Sequence, residues 1–387
     1  MRILFYLEHF PGLGGIEKVT SVMARAFIRD GHAVKIVSLN HADGTNQLDG
    51  LPPSTWVELP DFSKDKKLCR MALTSEISAF APQVVIFQDS YAHVERLLAE
   101  AIDDLPPSVR PKVVSVEHNR PMIWDWHNKI GWGVKGIARR MLFPYRYFRR
   151  FMSGRTRRRF IYGFSDAYVV LASGFLPRLG KIVGKGHLAK ARAIGNPLTL
   201  APAPRGEKQK TVLFVGALTE RKGVGRILTA WQKVAHDFPD WWFIIAGDGP
   251  DRAALERRVE AEAIQRVEFK GFVSDPTTLY STSAILALAS SYEGWVLVLV
   301  EAMANGCVPV VCDSFESLRD IVDDGENGCI VPAFDLNGFA DRMKALMADP
   351  VRCGRMASAA IKKTLGGGFS LSDVKAKWYH LFKEIGL

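Results

Sequence analysis

The feature that most constrains this chain is a regular alternation of short apolar runs with helix-length amphipathic stretches. Ile3 to Leu7 is an apolar run, and Gly12, Gly14 and Gly15 follow it. Glu17 to Arg29 then carries Val19, Val22, Met23, Ala26 and Phe27 at helical spacing. Further runs at Val34 to Leu39, Val84 to Phe87, Val113 to Val116 and Ala167 to Leu171 are separated by segments long enough for helices. Strand, helix and strand at this spacing predict a parallel sheet with right-handed crossovers.

The pattern then begins again. Thr211 to Val215, Trp242 to Ala246, Val267 to Gly271, Ile285 to Ala289, Val308 to Cys312 and Gly328 to Val331 read as strands. Gly225 to His236, Arg252 to Glu262 and Ser372 to Ile385 read as helices. Between the halves, Pro197, Pro202 and Pro204 disfavour both helix and central strand and mark a linker. A chain of 387 residues exceeds one core. The expectation is therefore two α/β domains, residues 1–204 and 205–387, with the last helix packing back on the first domain. In open parallel sheets ligands bind beyond the carboxyl ends of the strands, so the expected active site is a cleft between two Rossmann-like domains.

No apolar run is long enough for a signal-peptide core or a membrane span, which predicts a cytoplasmic chain. Its five cysteines form no C-x-x-C pair and no zinc spacing, so reduced structural thiols and no metal site are expected. Net charge is +10, and Lys129 to Arg159 holds eleven basic residues and no acidic one. That segment implies an anionic partner: a membrane face, a phosphorylated glycolipid or nucleic acid. Its aromatics and aliphatics alternate with Arg139, Arg140, Arg146, Arg149 and Arg150 at roughly helical spacing. This suits a helix in the headgroup plane at the inner face of a cell membrane. No nucleic-acid-reading motif accompanies it, so no nucleic-acid partner is expected.

The densest chemistry lies between Ser290 and Val311. Glu293 and Glu301 are eight positions apart, and Gly294 breaks the chain before a helix expected to start near Val296. A helix start presents unpaired N–H groups and a positive dipole end, suited to phosphate or sugar hydroxyls. Glu301 falls in the second turn, about 7.5 Å along at roughly 1.5 Å per residue. Val296 to Val300 is wholly apolar, so the helix must be buried, and a glutamate there needs partners.

This stretch resembles the Glu-x7-Glu signature of the family-4 glycosyltransferases, retaining enzymes of GT-B fold. The resemblance extends over most of the second half, including Asp323 to Gly328, and more loosely through the first. It implies that Glu301 binds the ribose diol of a nucleotide and that Glu293 contacts the donor sugar. It also implies that the backbone from Gly294 through Trp295, Val296 and Leu297 faces sugar and phosphate. Gly216 to Gly223 matches the family's diphosphate-binding loop, with Lys222 in the place of its lysine. The family's arginine is replaced by Ala217, so either Arg221 reaches in or one cation suffices. Gly14 and Gly15 match the glycine pair that approaches the phosphates, and His118 matches a histidine at the donor sugar. Gly247 and Val273 fall in stretches that match the family's loops around base and ribose.

The resemblance thus implies a retaining, metal-independent transferase. It would move a sugar from a UDP- or GDP-sugar to a glycan or lipid-linked acceptor in surface polysaccharide or lipopolysaccharide assembly. No cofactor beyond the co-substrate is implied. A phosphorylase or epimerase of the same fold fits the Glu-x7-Glu form less well. A catalytically impaired relative that binds glycans or membranes is the alternative, and Ala217 is the feature that favours it.

Overall fold

The computed structural model describes every residue except 13, 42–49, 90–93, 120, 122–142, 185, 187 and 205, and the side chains of 89 and 143–151 are also outside the description. The chain forms two compact units, Met1–Ile194 with Lys375–Leu387, and Gly195–Val374.

The first unit holds β1 (Arg2–His9), β2 (Ala33–Asn40), β3 (Trp56–Glu58), β4 (Val84–Asp89), β5 (Lys112–Glu117), β6 (Ala167–Val170) and β7 (Ala191–Ala193). They make one sheet in the order β3-β2-β1-β4-β5-β6-β7, and each neighbouring pair is parallel. The edge strands β3 and β7 have three residues each, too few to show a periodicity in the sequence.

The second unit holds β8 (Gln209–Val215), β9 (Trp242–Ala246), β10 (Val267–Gly271), β11 (Ser283–Leu288), β12 (Val308–Asp313) and β13 (Cys329–Pro332). Their order is β10-β9-β8-β11-β12-β13, again parallel throughout. The inner strands β11 and β12 are nearly continuous apolar runs, as strands covered on both faces are. β11 is buried along its whole length. In each sheet the order reverses once, between β1 and β4 and between β8 and β11. Loops leaving the carboxyl ends of such a pair diverge and open a crevice.

Composition places the boundary near residue 205, but residues 195–204 already belong to the second unit. The reason is a set of hydrogen bonds. Leu198 N–H donates to Phe369 O at 2.8 Å, and Ala203 N–H to Asn305 Oδ1 at 2.9 Å. The final helix, Leu371–Glu384, starts in the second unit and ends in the first. Within the first unit, Lys375 Nζ donates to Asp30 at 2.6 Å, and the Tyr379 hydroxyl donates to the same carboxylate at 2.6 Å. Phe382 packs on Phe27 with ring centroids 6.0 Å apart.

Candidate functional site

In the second unit the site grows from the two strands where the sheet order reverses. β8 ends in the loop that carries Ala217, Arg221 and Lys222, and β11 ends in the loop that carries Tyr292 and Glu293. Ser291 N–H donates to Arg221 O at 2.7 Å and locks the two loops together. Arg226, from the helix Val224–Gln232, braces the same turn. Its guanidinium donates to Ala289 O at 2.9 Å, Ser291 Oγ at 3.0 Å and Glu220 O at 3.2 Å. Gly223 makes this approach possible, with φ +76° and a Cβ position only 2.1 Å from Ala289 O.

Two cations meet on one carboxylate. Lys222 Nζ donates to Glu293 Oε1 at 2.7 Å, and Arg221 Nη1 to Glu293 Oε2 at 3.0 Å. The Arg221 guanidinium also lies over the Tyr292 ring, 5.3 Å from its centroid. Burial works to raise the Glu293 pKa, but the charges of Lys222 and Arg221 outweigh it, so the carboxyl is held below its usual range. Arg221 thus reaches Glu293, while Ala217 is exposed.

Gly294 is buried, and Val296 caps the helix Leu297–Ala304 without a side-chain hydrogen bond to its first N–H groups. The Trp295 side chain turns away into packing. Its ring packs at a tilt against Phe369, centroids 5.8 Å apart, and fills the space beside Gly195, where a Cβ would lie 2.4 Å away. Glu301 is buried in the second turn of this helix. Its Oε1 accepts from Thr199 Oγ, and its Oε2 accepts from Tyr280 OH at 3.1 Å. Gly247, at the end of β9, has φ +154° and lies against Gly216, its Cβ position 1.9 Å from that residue's oxygen. After β10, Val273 packs toward the core while Phe272 is exposed.

The remaining expected residues lie in the first unit. Gly14 caps the helix Gly15–Arg29, and the Glu17 carboxylate folds over it, 2.2 Å from where a Cβ would stand. His118, just past β5, is buried, and its Nε2 bonds to Gln88 Oε1. Burial lowers its pKa to about 4, so the ring is neutral at physiological pH. Neighbouring Glu117 is bound by Arg158 at 2.7 Å and by Tyr168 OH at 2.9 Å, which makes it part of the packing.

Arg139 and Arg140 lie outside the described residues. Arg146, Arg149 and Arg150 fall on the helix Phe143–Phe164, but their side chains are not described. The end of the basic segment is tied inward. Arg157 pairs with buried Glu95 at 3.1 Å, Arg158 with Glu117, and Arg159 donates to Ile182 O at 2.8 Å. Among the described residues no helix is long and apolar enough to cross a membrane, and no cluster of His, Cys, Asp and Glu could hold a metal ion. All five cysteines are free and buried.

Thr199, Tyr280 and Arg226 carry no sequence signal of their own. They become visible only through what they touch.

Residues 200–363 match the family model described as glycosyl transferases group 1. The chain is 32% identical over 179 residues to an alpha-D-kanosaminyltransferase of Streptomyces kanamyceticus, covering 46% of each chain. It is 26% identical over 233 residues to a GalNAc-alpha-(1->4)-GalNAc-alpha-(1->3)-diNAcBac-PP-undecaprenol alpha-1,4-N-acetyl-D-galactosaminyltransferase of Campylobacter jejuni, covering 59% of this chain and 63% of that one. The chain spans about half the length of the curated relatives it matches. Among solved structures it is similar to Anabaena Alr3699/HepE in complex with UDP and glucose. The TM-score there is 0.75 at 16% identity, over 99% of this chain and 100% of that one. At that identity the likeness shows the fold, which is GT-B.

Proposed function

We propose that the chain is a retaining glycosyltransferase that uses a UDP- or GDP-sugar and a glycan or lipid-linked acceptor in surface polysaccharide or lipopolysaccharide assembly. The observation that carries this reading is the meeting of Lys222 and Arg221 on Glu293 at the sheet's point of reversal, with Glu301 on the helix that follows. A diphosphate leaving group needs positive charge, and two preorganised cations beside uncapped helix N–H groups supply it without a metal ion. In this reading Glu293 contacts the donor sugar, and Arg221 stands in for the arginine missing at Ala217. Glu301 takes the ribose diol, with Gly247 and Val273 near the base. By the same resemblance His118, Gly14 and Gly15 are donor contacts, His118 as a neutral hydrogen-bonding group.

In the reaction the bond between donor C1 and the diphosphate oxygen breaks as negative charge builds on the diphosphate. The acceptor oxygen forms its bond to C1 on the same face. The acceptor proton passes to the departing phosphate. The family match over residues 200–363 supports the reading, as does a Campylobacter relative whose name includes an undecaprenol-linked acceptor.

The test is calorimetry and nucleotide release with a panel of UDP- and GDP-sugars. One donor is expected to bind and, with an acceptor extract, to release its nucleotide. Glu301→Ala should weaken that donor by about 10- to 150-fold, the worth of hydrogen bonds to an ionised group. Failure of every sugar nucleotide to bind would sink the proposal.

A further inference from the structure

Glu301 is gripped by two hydroxyls from distant parts of the chain. Thr199, 102 positions upstream, bonds Oε1, and Tyr280, 21 positions upstream, bonds Oε2. Neither donor is loosely placed. Thr199 lies between Leu198, which bonds Phe369, and Ala203, which bonds Asn305. Asn305 Nδ2 in turn donates to Glu301 O at 2.8 Å, so this segment and the helix end form one stitched unit. Tyr280 is completely buried. Burial and the Glu301 charge raise its phenol pKa well above 10, so it remains an O–H donor.

The last torsion of a glutamate, χ3, is broad and weakly preferred when nothing holds it. One hydroxyl on each oxygen fixes the plane of the carboxylate. Orientation of this kind matters most where a group must receive two neighbouring hydroxyls at once, because bidentate recognition depends on the plane as well as the charge. We propose that Thr199 and Tyr280 are positioning residues that set the Glu301 carboxylate for a ribose diol. The preference for ribo- over 2′-deoxyribonucleotides then depends on two hydroxyls that do not touch the nucleotide. This rests on the nucleotide-sugar reading above.

A purely structural role predicts something different. If Thr199 only stitched its segment down, its loss would lower stability and weaken every nucleotide equally. The experiment is calorimetric binding of UDP, GDP and their 2′-deoxy forms to wild type, Thr199→Val, Thr199→Ser and Tyr280→Phe, with melting temperatures alongside. Wild type should favour the ribo form of its nucleotide by about tenfold or more. Thr199→Val and Tyr280→Phe should each cut that ratio several-fold, while Thr199→Ser retains it. Tyr280→Phe removes one oxygen from an otherwise intact packed ring, and it carries the test if Thr199→Val does not fold. An unchanged ratio in folded Tyr280→Phe or Thr199→Val, even with weaker binding overall, overturns the inference while leaving the functional reading intact. Wild type that binds no nucleotide overturns both.

Discussion

At the scale of single residues, the site in the second unit is organised by buried carboxylates matched to half-buried cations and to hydroxyls. His118, in the first unit, is buried and neutral. Its folded pKa of about 4 lies below the usual 6.5, so protons bind the unfolded chain more readily than the folded one. The stability contributed by the neutral ring is fully present above about pH 6.5 and is lost as the pH falls toward 4. His118→Asn should therefore flatten the acid side of the stability profile. Urea midpoints at pH 7 and pH 5 check this, and an unchanged slope would show that the buried ring does not titrate as described. Glu293, Glu301, Lys222 and His118 stood out in the sequence because motif spacing and position after a strand mark them. Arg221 was ambiguous there, since nothing in a linear chain says whether it reaches in or one cation suffices. Thr199 was invisible, because its partner is 102 residues away. Contacts of that range depend on the folded path of the chain and not on any local pattern.

At the scale of elements, loop glycines decide how closely neighbouring strands deliver their residues. Gly223 holds a left-handed conformation, and any Cβ there meets the backbone oxygen at the end of β11 and the Arg226 guanidinium. Gly223→Ala is expected to cost about 1–2 kcal/mol from conformation alone, plus the clash, and to separate Arg221 and Lys222 from Glu293. Gly354 is the contrast: it lies inside the helix Pro350–Gly366 with open space at its Cβ. Gly354→Ala should stabilise by roughly 0.5–1 kcal/mol. Paired thermal melts distinguish the two, and equal effects would contradict this account. The helix Phe143–Phe164 makes a related point. Its basic character was plain in the sequence, but the inward pairing of Arg157 and Arg158 was not, because Glu95 and Glu117 come from other elements. If an anionic membrane face is the partner that this basic composition implies, Arg149→Ala with Arg150→Ala should lower sedimentation with anionic vesicles, and undiminished sedimentation would rule that partner out.

At the scale of the whole molecule, the parallel strands of both sheets were legible as alternating apolar runs, apart from two edge strands too short to read, whereas their order was not, because it depends on pairings between distant segments. The return of the last residues to the first unit is energetically substantial. Trp378, Leu381 and Phe382 are buried there, each worth about 1.5–3 kcal/mol. Their sum is comparable with the total stability of an ordinary domain, about 5–15 kcal/mol. Ending the chain at Val374 should therefore unfold the first unit and spare the second. Limited proteolysis is expected to leave a resistant fragment spanning residues 195–374, and a resistant fragment from the N-terminal residues instead would refute the packing described.

That arrangement also sets an order of events during synthesis. The second unit is continuous in sequence and is complete while the chain is still being made. The first unit starts earliest and finishes last, since Asp30, His32 and Phe27 wait for Lys375, Tyr379 and Phe382. Until those residues leave the ribosome, β1 to β7 lack the helix that packs on Phe27 and Asp30. A chain that has reached Val374 but not Lys375 therefore holds every residue of the second unit and an incomplete first one.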